Sequence, residues 1–365
     1  MKQSDVAARL GRLWPSLADA GCDALLVTNL VNVRYLTGFT GSAGLLLLLP
    51  DESVLTTDGR YRDQAAEQLA AAGVNARVEV QPTLAGQHDV LAAAARGIGR
   101  LGLEADSVTW AQQRRLASNV FGSAELVATE GLIEDLRRVK DAGEIERMAE
   151  AARIADEALA AVLPLLGQGV TEREVALGLD YEMRRLGADG SSFETIVASG
   201  PNGAKPHARP TERRVEPGEL VVIDFGARVD GYCSDMTRTL CVGEPADDTA
   251  LRMVAVVKES QREGVAAVKA GARGRDVDQT CRAVIADAGW GDAFIHGTGH
   301  GVGLDIHEAP RVASTSEDVL ATGHVVTVEP GVYLAEHGGV RIEDTVVVTD
   351  DGCIVLTNAP KDLVV

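Results

Sequence analysis

The stretch that decides the reading runs Val221-Val222-Ile223-Asp224-Phe225-Gly226-Ala227-Arg228-Val229-Asp230-Gly231-Tyr232-Cys233-Ser234-Asp235. Its first half is apolar enough for a buried strand, yet Asp224 lies inside it. An ionised acid on such a strand is costly unless it is paired or coordinates a metal. Asp-Gly favours a two-residue hairpin turn. If Asp230-Gly231 is that turn, Val229 faces Tyr232 and Asp235 faces Gly226. Gly226 shares a strand face with Asp224. The two aspartates then become diagonal neighbours on one face, an arrangement that a one-residue slip would destroy.

A second pair looks similar. Glu329 ends the apolar run Val325-Val326-Thr327-Val328, Glu343 sits on another apolar strand, and the loop between them contains Gly338-Gly339. Ile223-Asp224-Phe225-Gly226 and Val328-Glu329-Pro330-Gly331 echo each other faintly, as an old duplication would. Four converging carboxylates repel unless about two divalent cations cancel them, and oxygen ligands with one imidazole suit manganese, cobalt, iron or zinc. Six of the seven histidines, namely His207, His296, His300, His307, His324 and His337, fall in this half of the chain. The densest segment is His296-Gly297-Thr298-Gly299-His300-Gly301-Val302-Gly303. It fits neither a nucleotide-phosphate loop nor a helical HExxH site. Taken singly these signals are ordinary: Asp235 alone could pair on a surface, His207 sits in a turn-rich loop, His324 and His337 read as loop residues, and Arg341 could simply neutralise acids.

Outward from this core, Asp141-Ala142-Gly143-Glu144 and Thr171-Glu172-Arg173-Glu174 have capping-box spacing and open helices reaching Leu166 and about Leu186. Strands are expected at 193–198, 220–225, 232–242, 325–333, 340–348 and 354–356, with helices at about 247–270 and 274–288. Residues 1 to about 130 alternate helices and short strands, with Ser4 a candidate cap and a hairpin around Pro50-Asp51-Glu52, as in an α/β domain with a mixed sheet. The expected division is therefore an α/β domain over 1–130 and an α+β domain over 131–365, joined through the charged, helical stretch Glu130–Lys140.

The chain has 365 residues, with 35 basic and 54 acidic side chains and a formal charge of −19. That balance opposes nucleic-acid binding and docking on anionic membranes. Five scattered cysteines without a CxxC pair suggest reduced thiols and the cytoplasm. Asp5, Arg9 and Arg12 interrupt any N-terminal signal sequence. The apolar run Leu45–Leu49 is far shorter than the ~20 residues of a membrane helix.

The order Asp224, Asp235, His300, Glu329, Glu343 resembles the five-ligand dinuclear centre of the pita-bread metallopeptidases. The words Ile-Asp-Phe-Gly, Ser-Asp-Met-Thr-Arg-Thr, His-Gly-Thr-Gly-His-Gly-Val-Gly, Val-Glu-Pro-Gly and Arg-Ile-Glu-Asp fit as well. In the first domain, Asn32–Ser42 and Thr57-Asp58-Gly59-Arg60-Tyr61 resemble the Xaa-Pro aminopeptidase and prolidase branch, and Leu136–Met148 looks like its interdomain helix. The resemblance implies a creatinase/prolidase-like N-terminal domain and a pita-bread (creatinase/aminopeptidase-like) catalytic domain. It implies two divalent metal ions, Mn2+ first and Co2+ or Zn2+ next. Asp224 would chelate one metal, Asp235 and Glu343 would bridge both, and His300 and Glu329 would hold the other. A hydroxide between the metals would attack the scissile carbonyl, with Glu329 shuttling the proton. His207 and His307 would act at the substrate, His296 would line its pocket, and Arg341 would support both ligands and substrate.

The implied activity is a cytoplasmic, homodimeric Xaa-Pro aminopeptidase acting on proline-containing peptides, with Xaa-Pro dipeptidase (prolidase) as the competing specificity. The short first domain and the Thr37-Gly38-Phe39-Thr40-Gly41-Ser42 wording favour the aminopeptidase. Methionine aminopeptidases usually lack the first domain, and creatinase lacks the ligand set. A non-catalytic peptide-binding relative would have lost ligands, and no GxSxG elbow points to a serine hydrolase.

Overall fold

The computed structural model describes residues 4–362 and Val364. The chain divides into two compact units between Arg137 and Arg138. The N-terminal unit contains, in chain order, α1 (Val6–Asp19), β1 (Ala24–Val27), α2 (Leu30–Thr37), β2 (Leu45–Leu48), β3 (Ser53–Thr57), α3 (Arg62–Ala71), β4 (Arg77–Val80), α4 (Leu84–Ala94), β5 (Arg100–Glu104), α5 (Trp110–Arg115), β6 (Glu125–Thr129) and α6 (Leu132–Arg138). Its strands form one mixed sheet in the order β4-β3-β2-β1-β5-β6. The β1–β2 and β2–β3 pairs are antiparallel and the others parallel. Leu26, Leu47, Val54, Leu101 and Leu103 pack on one side of it. The hairpin around Pro50-Asp51-Glu52 forms, with Leu48 opposite Ser53. The cap of α1 is Asp5 rather than Ser4, its Oδ1 accepting the Ala8 N–H at 3.3 Å.

The C-terminal unit repeats one plan twice. First come α7 (Ala142–Leu166), α8 (Glu172–Arg185), β7 (Gly190–Ser191), β8 (Ile196–Ser199), β9 (Leu220–Phe225), β10 (Ala227–Val229), β11 (Tyr232–Cys233) and β12 (Met236–Cys241). Then come α9 (Asp248–Ala267), α10 (Gly274–Asp287), β13 (Gly299–Gly301), β14 (Glu308–Val312), β15 (Val325–Val328), β16 (Gly331–Leu334), β17 (Gly338–Arg341), β18 (Asp344–Val348) and β19 (Cys353–Val355). Both capping boxes are made: Asp141 and Glu144 cap α7 reciprocally, and Thr171 and Glu174 do the same for α8. Helices α7 and α8 cover β9 through Val221, Ile223 and Phe225, while α9 and α10 cover the other sheet, in the order β14-β13-β15-β18-β19, through Val326, Val328, Val346 and Val348. Strand alternation then sends Asp224 to the face opposite its apolar neighbours.

The main departure from the sequence reading is informative. The long strands expected at 232–242, 325–333 and 340–348 are each split in two. The register is nevertheless continuous across the breaks. Val229 faces Tyr232 in one ladder, and Phe225 faces Met236 in the next, so the Asp230-Gly231 turn fixes both. Asp230 and Gly231 both have positive φ, 46° and 76°, as a tight hairpin turn demands. The second hairpin behaves alike, with Val328 facing Asp344 and Gly331 facing Arg341. Each interruption falls beside an acid: Asp235 lies between β11 and β12, Glu329 between β15 and β16, and Glu343 between β17 and β18. At two of the breaks the backbone bonds elsewhere, Glu329 N–H to the Thr298 carbonyl at 2.7 Å and Glu343 N–H to the Thr237 carbonyl at 3.1 Å.

Close backbone approach makes Gly226 obligatory, because a Cβ there would lie 1.9 Å from the Ser234 carbonyl oxygen. Gly226→Ala is expected to cost about 1–3 kcal/mol in urea unfolding. Gly167→Ala, at a helix end with ordinary φ and nothing within 4 Å, is expected to stay within about 0.5 kcal/mol. Equal stability of the two variants would contradict the register.

Candidate metal and peptide site

A pocket of about 600 Å³ in the C-terminal unit is lined by Asp224, Asp235, His296, His300, Glu329, Arg341 and Glu343, with His207, His307 and Arg311 on its wall. All nine residues singled out in the sequence therefore border one cavity. Asp224, Asp235 and Glu343 each present an oxygen within 4.8 Å of the others. Glu329 and Asp235 approach His300 Nε2 at 3.4 and 3.6 Å.

The hydrogen bonds show which lone pairs are spoken for. Asp224 Oδ2 accepts from Arg341 Nη2 at 2.6 Å, Glu343 Oε2 from the Thr237 hydroxyl at 2.6 Å, and Glu329 Oε1 from the Thr327 hydroxyl at 3.1 Å. Asp224 Oδ1 and Glu343 Oε1 are buried and accept nothing. Asp344 makes the contrast. It is as buried as its neighbour Glu343, but it pairs with Arg238 at 3.0 Å and with Lys361. Orphaned buried oxygens of this kind call for a cation. His300 complements them. Its Nδ1 faces the Gly301 carbonyl at 3.0 Å, and a carbonyl only accepts. The proton therefore sits on Nδ1, and Nε2 offers its lone pair to the acids. The donor set is hard oxygen plus one imidazole and fits a divalent cation.

Burial drives the electrostatics. It pushes the Asp235 carboxyl up, with Glu343 and Asp224 adding to the effect. The Glu343 carboxyl is raised by burial and by Glu329 and Asp224. Glu329 is pushed up to about 8, chiefly by burial. Burial likewise holds His300 and His296 down to about 4, so both rings are neutral at pH 7.

The histidines separate into two kinds. Those at 207 and 307 are exposed on the pocket wall and make no hydrogen bond among the described residues. The His307 ring stands edge-on to His300 with centroids 4.4 Å apart. His296, by contrast, has both nitrogens engaged. Arg341 Nη1 donates to the Tyr333 hydroxyl at 2.7 Å, so the phenol's own proton points to His296 Nε2 at 2.8 Å. Nδ1–H of His296 then donates to the Gly297 carbonyl at 2.8 Å. All three Arg341 nitrogens are engaged as well, donating also to Thr237 Oγ1, the Pro206 carbonyl and Asp224. His296 and Arg341 thus border the pocket with their nitrogens in hydrogen bonds to the protein. His324 is buried, not solvated, and its Nδ1 accepts the Ala321 N–H at 3.1 Å.

Sequence reasoning missed Tyr333, Thr237 and Thr327. Tyr333 was within reach: Arg341 faces Gly331, and counting the second hairpin places Tyr333 diagonal to it. The hydroxyl contacts of the threonines had no local signal.

Raised carboxyl pKa values mean that the metal-free site keeps protons at pH 7 that a cation must displace. Titration calorimetry with Mn2+ in buffers of different ionisation enthalpy should show net proton release at pH 7, and affinity should weaken as pH falls below about 8. Binding with no proton exchange would mean that the acids are already ionised without metal.

Known proteins match both units. Residues 146–350 match the metallopeptidase family M24, and residues 9–139 match the creatinase/prolidase N-terminal domain. An Xaa-Pro dipeptidase of Pyrococcus furiosus is 36% identical over 357 residues, covering 97% of this chain and 99% of its own. Among solved structures, an Xaa-Pro dipeptidase from Bacillus anthracis is 41% identical with a TM-score of 0.94, covering 99% of this chain and 100% of its own. An X-Pro aminopeptidase from Thermotoga maritima MSB8 is 36% identical with a TM-score of 0.87, covering 96% of this chain and 100% of its own. With its creatinase-type N-terminal domain, its pita-bread catalytic domain and a carboxylate cluster suited to divalent metal, the chain belongs to the M24 metallopeptidases, hydrolases that act on peptide bonds.

Proposed function

We propose that the protein is a metal-dependent Xaa-Pro aminopeptidase that removes the residue preceding proline from the N-terminus of peptides. The observation that carries this reading is the meeting of five ligand-type side chains with two unengaged histidines in one pocket. The names of the relatives supply the proline preference. Asp224, Asp235, His300, Glu329 and Glu343 would hold two divalent ions, manganese first, since all donors but one are carboxylate oxygens. Ions held there would supply Lewis acidity, lowering the pKa of water and polarising the scissile carbonyl.

The remaining chemistry belongs to the chain. One Glu329 oxygen accepts from Thr327, and the other makes no hydrogen bond among the described residues. That second oxygen takes the proton of the attacking water and delivers it to the leaving proline nitrogen. With ring nitrogens free, His207 donates to the bound substrate, and His307 donates to the substrate carbonyl and the oxyanion that develops from it. Arg341 holds Asp224 in place, and Tyr333 and His296 hold Arg341.

Arg311 favours a second reading, Xaa-Pro dipeptidase. Its guanidinium borders the pocket on the exposed wall and has no ion-pair partner among the described residues. A free carboxylate directly after proline could pair with it. No helix of the described residues is long and apolar enough to cross a membrane. All five cysteines are unpaired, which supports a reducing cytoplasm. A homodimer is the assembly to test by light scattering.

Prolonged chelation should abolish cleavage of an Xaa-Pro-Xaa tripeptide, and Mn2+ or Co2+ should restore it; full activity in metal-stripped protein would defeat the mechanism. His307→Ala should lower kcat at least about 100-fold while metal content is kept. Metal loss instead would make His307 a structural partner of His300. Arg311→Ala separates the specificities: a KM rise of about tenfold or more for the dipeptide, with tripeptide cleavage absent in the parent enzyme, would establish the dipeptidase.

A further inference from the structure

Glu172 begins α8 and is fully buried, yet it does not line the pocket. Its carboxylate collects hydrogen bonds from neutral donors only. Oε1 accepts from Ser199 N at 2.7 Å and Ser199 Oγ at 2.9 Å. Oε2 accepts from Thr211 N at 3.0 Å and Thr211 Oγ1 at 2.6 Å. Asn202 Nδ2 reaches both oxygens at 3.1 Å. The nearby Arg213 is paired with Glu219 instead. Burial works against the Glu172 charge, but these donors outweigh it and hold its pKa below the usual range. The N-terminus of α8 favours a negative charge as well.

The donors have one thing in common: they bracket the segment 199–211. Between its tied ends, Pro206, His207, Ala208, Arg209 and Pro210 form a wall of the pocket. Residues 205–211 belong to no strand or helix. Their own contacts are few: Lys205 N–H donates to the Asn202 carbonyl at 3.0 Å, Ala208 N–H to the Lys205 carbonyl at 3.1 Å and Arg173 N–H to the Thr211 carbonyl at 3.1 Å, and Arg209 pairs with Glu194 at 3.4 Å on the exposed surface. The middle of the segment leans on β17, where Arg341 reaches the Pro206 carbonyl at 3.3 Å. A loop with so few bonds of its own depends on fixed ends to keep its place.

We propose that Glu172 is a positioning residue that anchors the 199–211 segment and thereby holds His207 at the substrate. This inference rests on the peptidase reading above. Glu172→Gln replaces one acceptor oxygen with an amide donor facing donors, which removes at least two of the bonds. Amide exchange across 199–211 should then accelerate at least about tenfold, with β9 unaffected. The KM for an Xaa-Pro peptide should rise about tenfold, with kcat and metal stoichiometry kept. Added to His207→Ala, Glu172→Gln should cost less than about a further twofold in kcat/KM, because both act through the same side chain. A purely structural role would give its full penalty on either background. Unchanged exchange, or a full additive penalty, overturns the proposal. Should Glu172→Gln fail to fold, Thr211→Val removes one donor and must show the same coupling to His207→Ala. If the parent enzyme cleaves no Xaa-Pro peptide, the proposed function falls, and the exchange result alone decides the anchor.

Discussion

Four carboxylates, Asp224, Asp235, Glu329 and Glu343, line one pocket, and of the arginines on its lining only Arg341 is buried with them, pairing with Asp224. Negative charge held out of water must be neutralised, by protons or by cations. Without metal, protons do this, which is why burial pushes Asp235, Glu329 and Glu343 upward. With divalent metal the same acids become ligands, and the orphaned oxygens of Asp224 and Glu343 acquire the partner they lack. The rest of the C-terminal unit can be understood as the scaffold that makes this unfavourable cluster possible.

Two interrupted hairpins deliver it. In each, helices cover the apolar face of the strands, and an acid stands where the ladder breaks. The break serves two ends. It takes the acid's backbone out of the hairpin ladder, with Glu329 N–H passing to the Thr298 carbonyl and Glu343 N–H to the Thr237 carbonyl, and it keeps the register on both sides, so placement is not loosened. Gly226 lets the strands close tightly beside Asp224, where any side chain would strike the Ser234 carbonyl.

Around the acids, polar groups fall into those with no spare hydrogen-bonding capacity and those with some. Thr237 and Thr327 each satisfy one carboxylate oxygen and leave the other available. Arg341, Tyr333 and His296 form a closed chain ending on the Gly297 carbonyl. A chain of linked hydrogen bonds of this kind resists rearrangement. It therefore fixes Asp224 without competing for a ligand. The His207 and His307 rings have no such commitments and are the groups able to meet an incoming peptide.

Much of this was legible in the residues themselves. The Asp230-Gly231 turn set the register that makes Asp224 and Asp235 neighbours, because turn geometry and strand alternation are local properties. The capping boxes at Asp141 and Thr171 marked two helix starts for the same reason, and acids on apolar strands announced a need for cations. Other features depend on side chains far apart in the chain. No local pattern shows that the hairpin at 224–235 meets the one at 329–343, or that His300 arrives between Asp235 and Glu329. His296 illustrates the limit. As a residue type it suits a substrate contact, but whether its nitrogens are free depends on Tyr333, 37 positions away. Glu172 looked like no more than part of a helix start, and only the folded chain brings Ser199, Asn202 and Thr211 around it. The sequence by itself determined which groups carry charge and which face of a strand they occupy. The tertiary structure alone decided which lone pairs remain unsatisfied, because hydrogen-bond partners separated by tens of residues are chosen by packing.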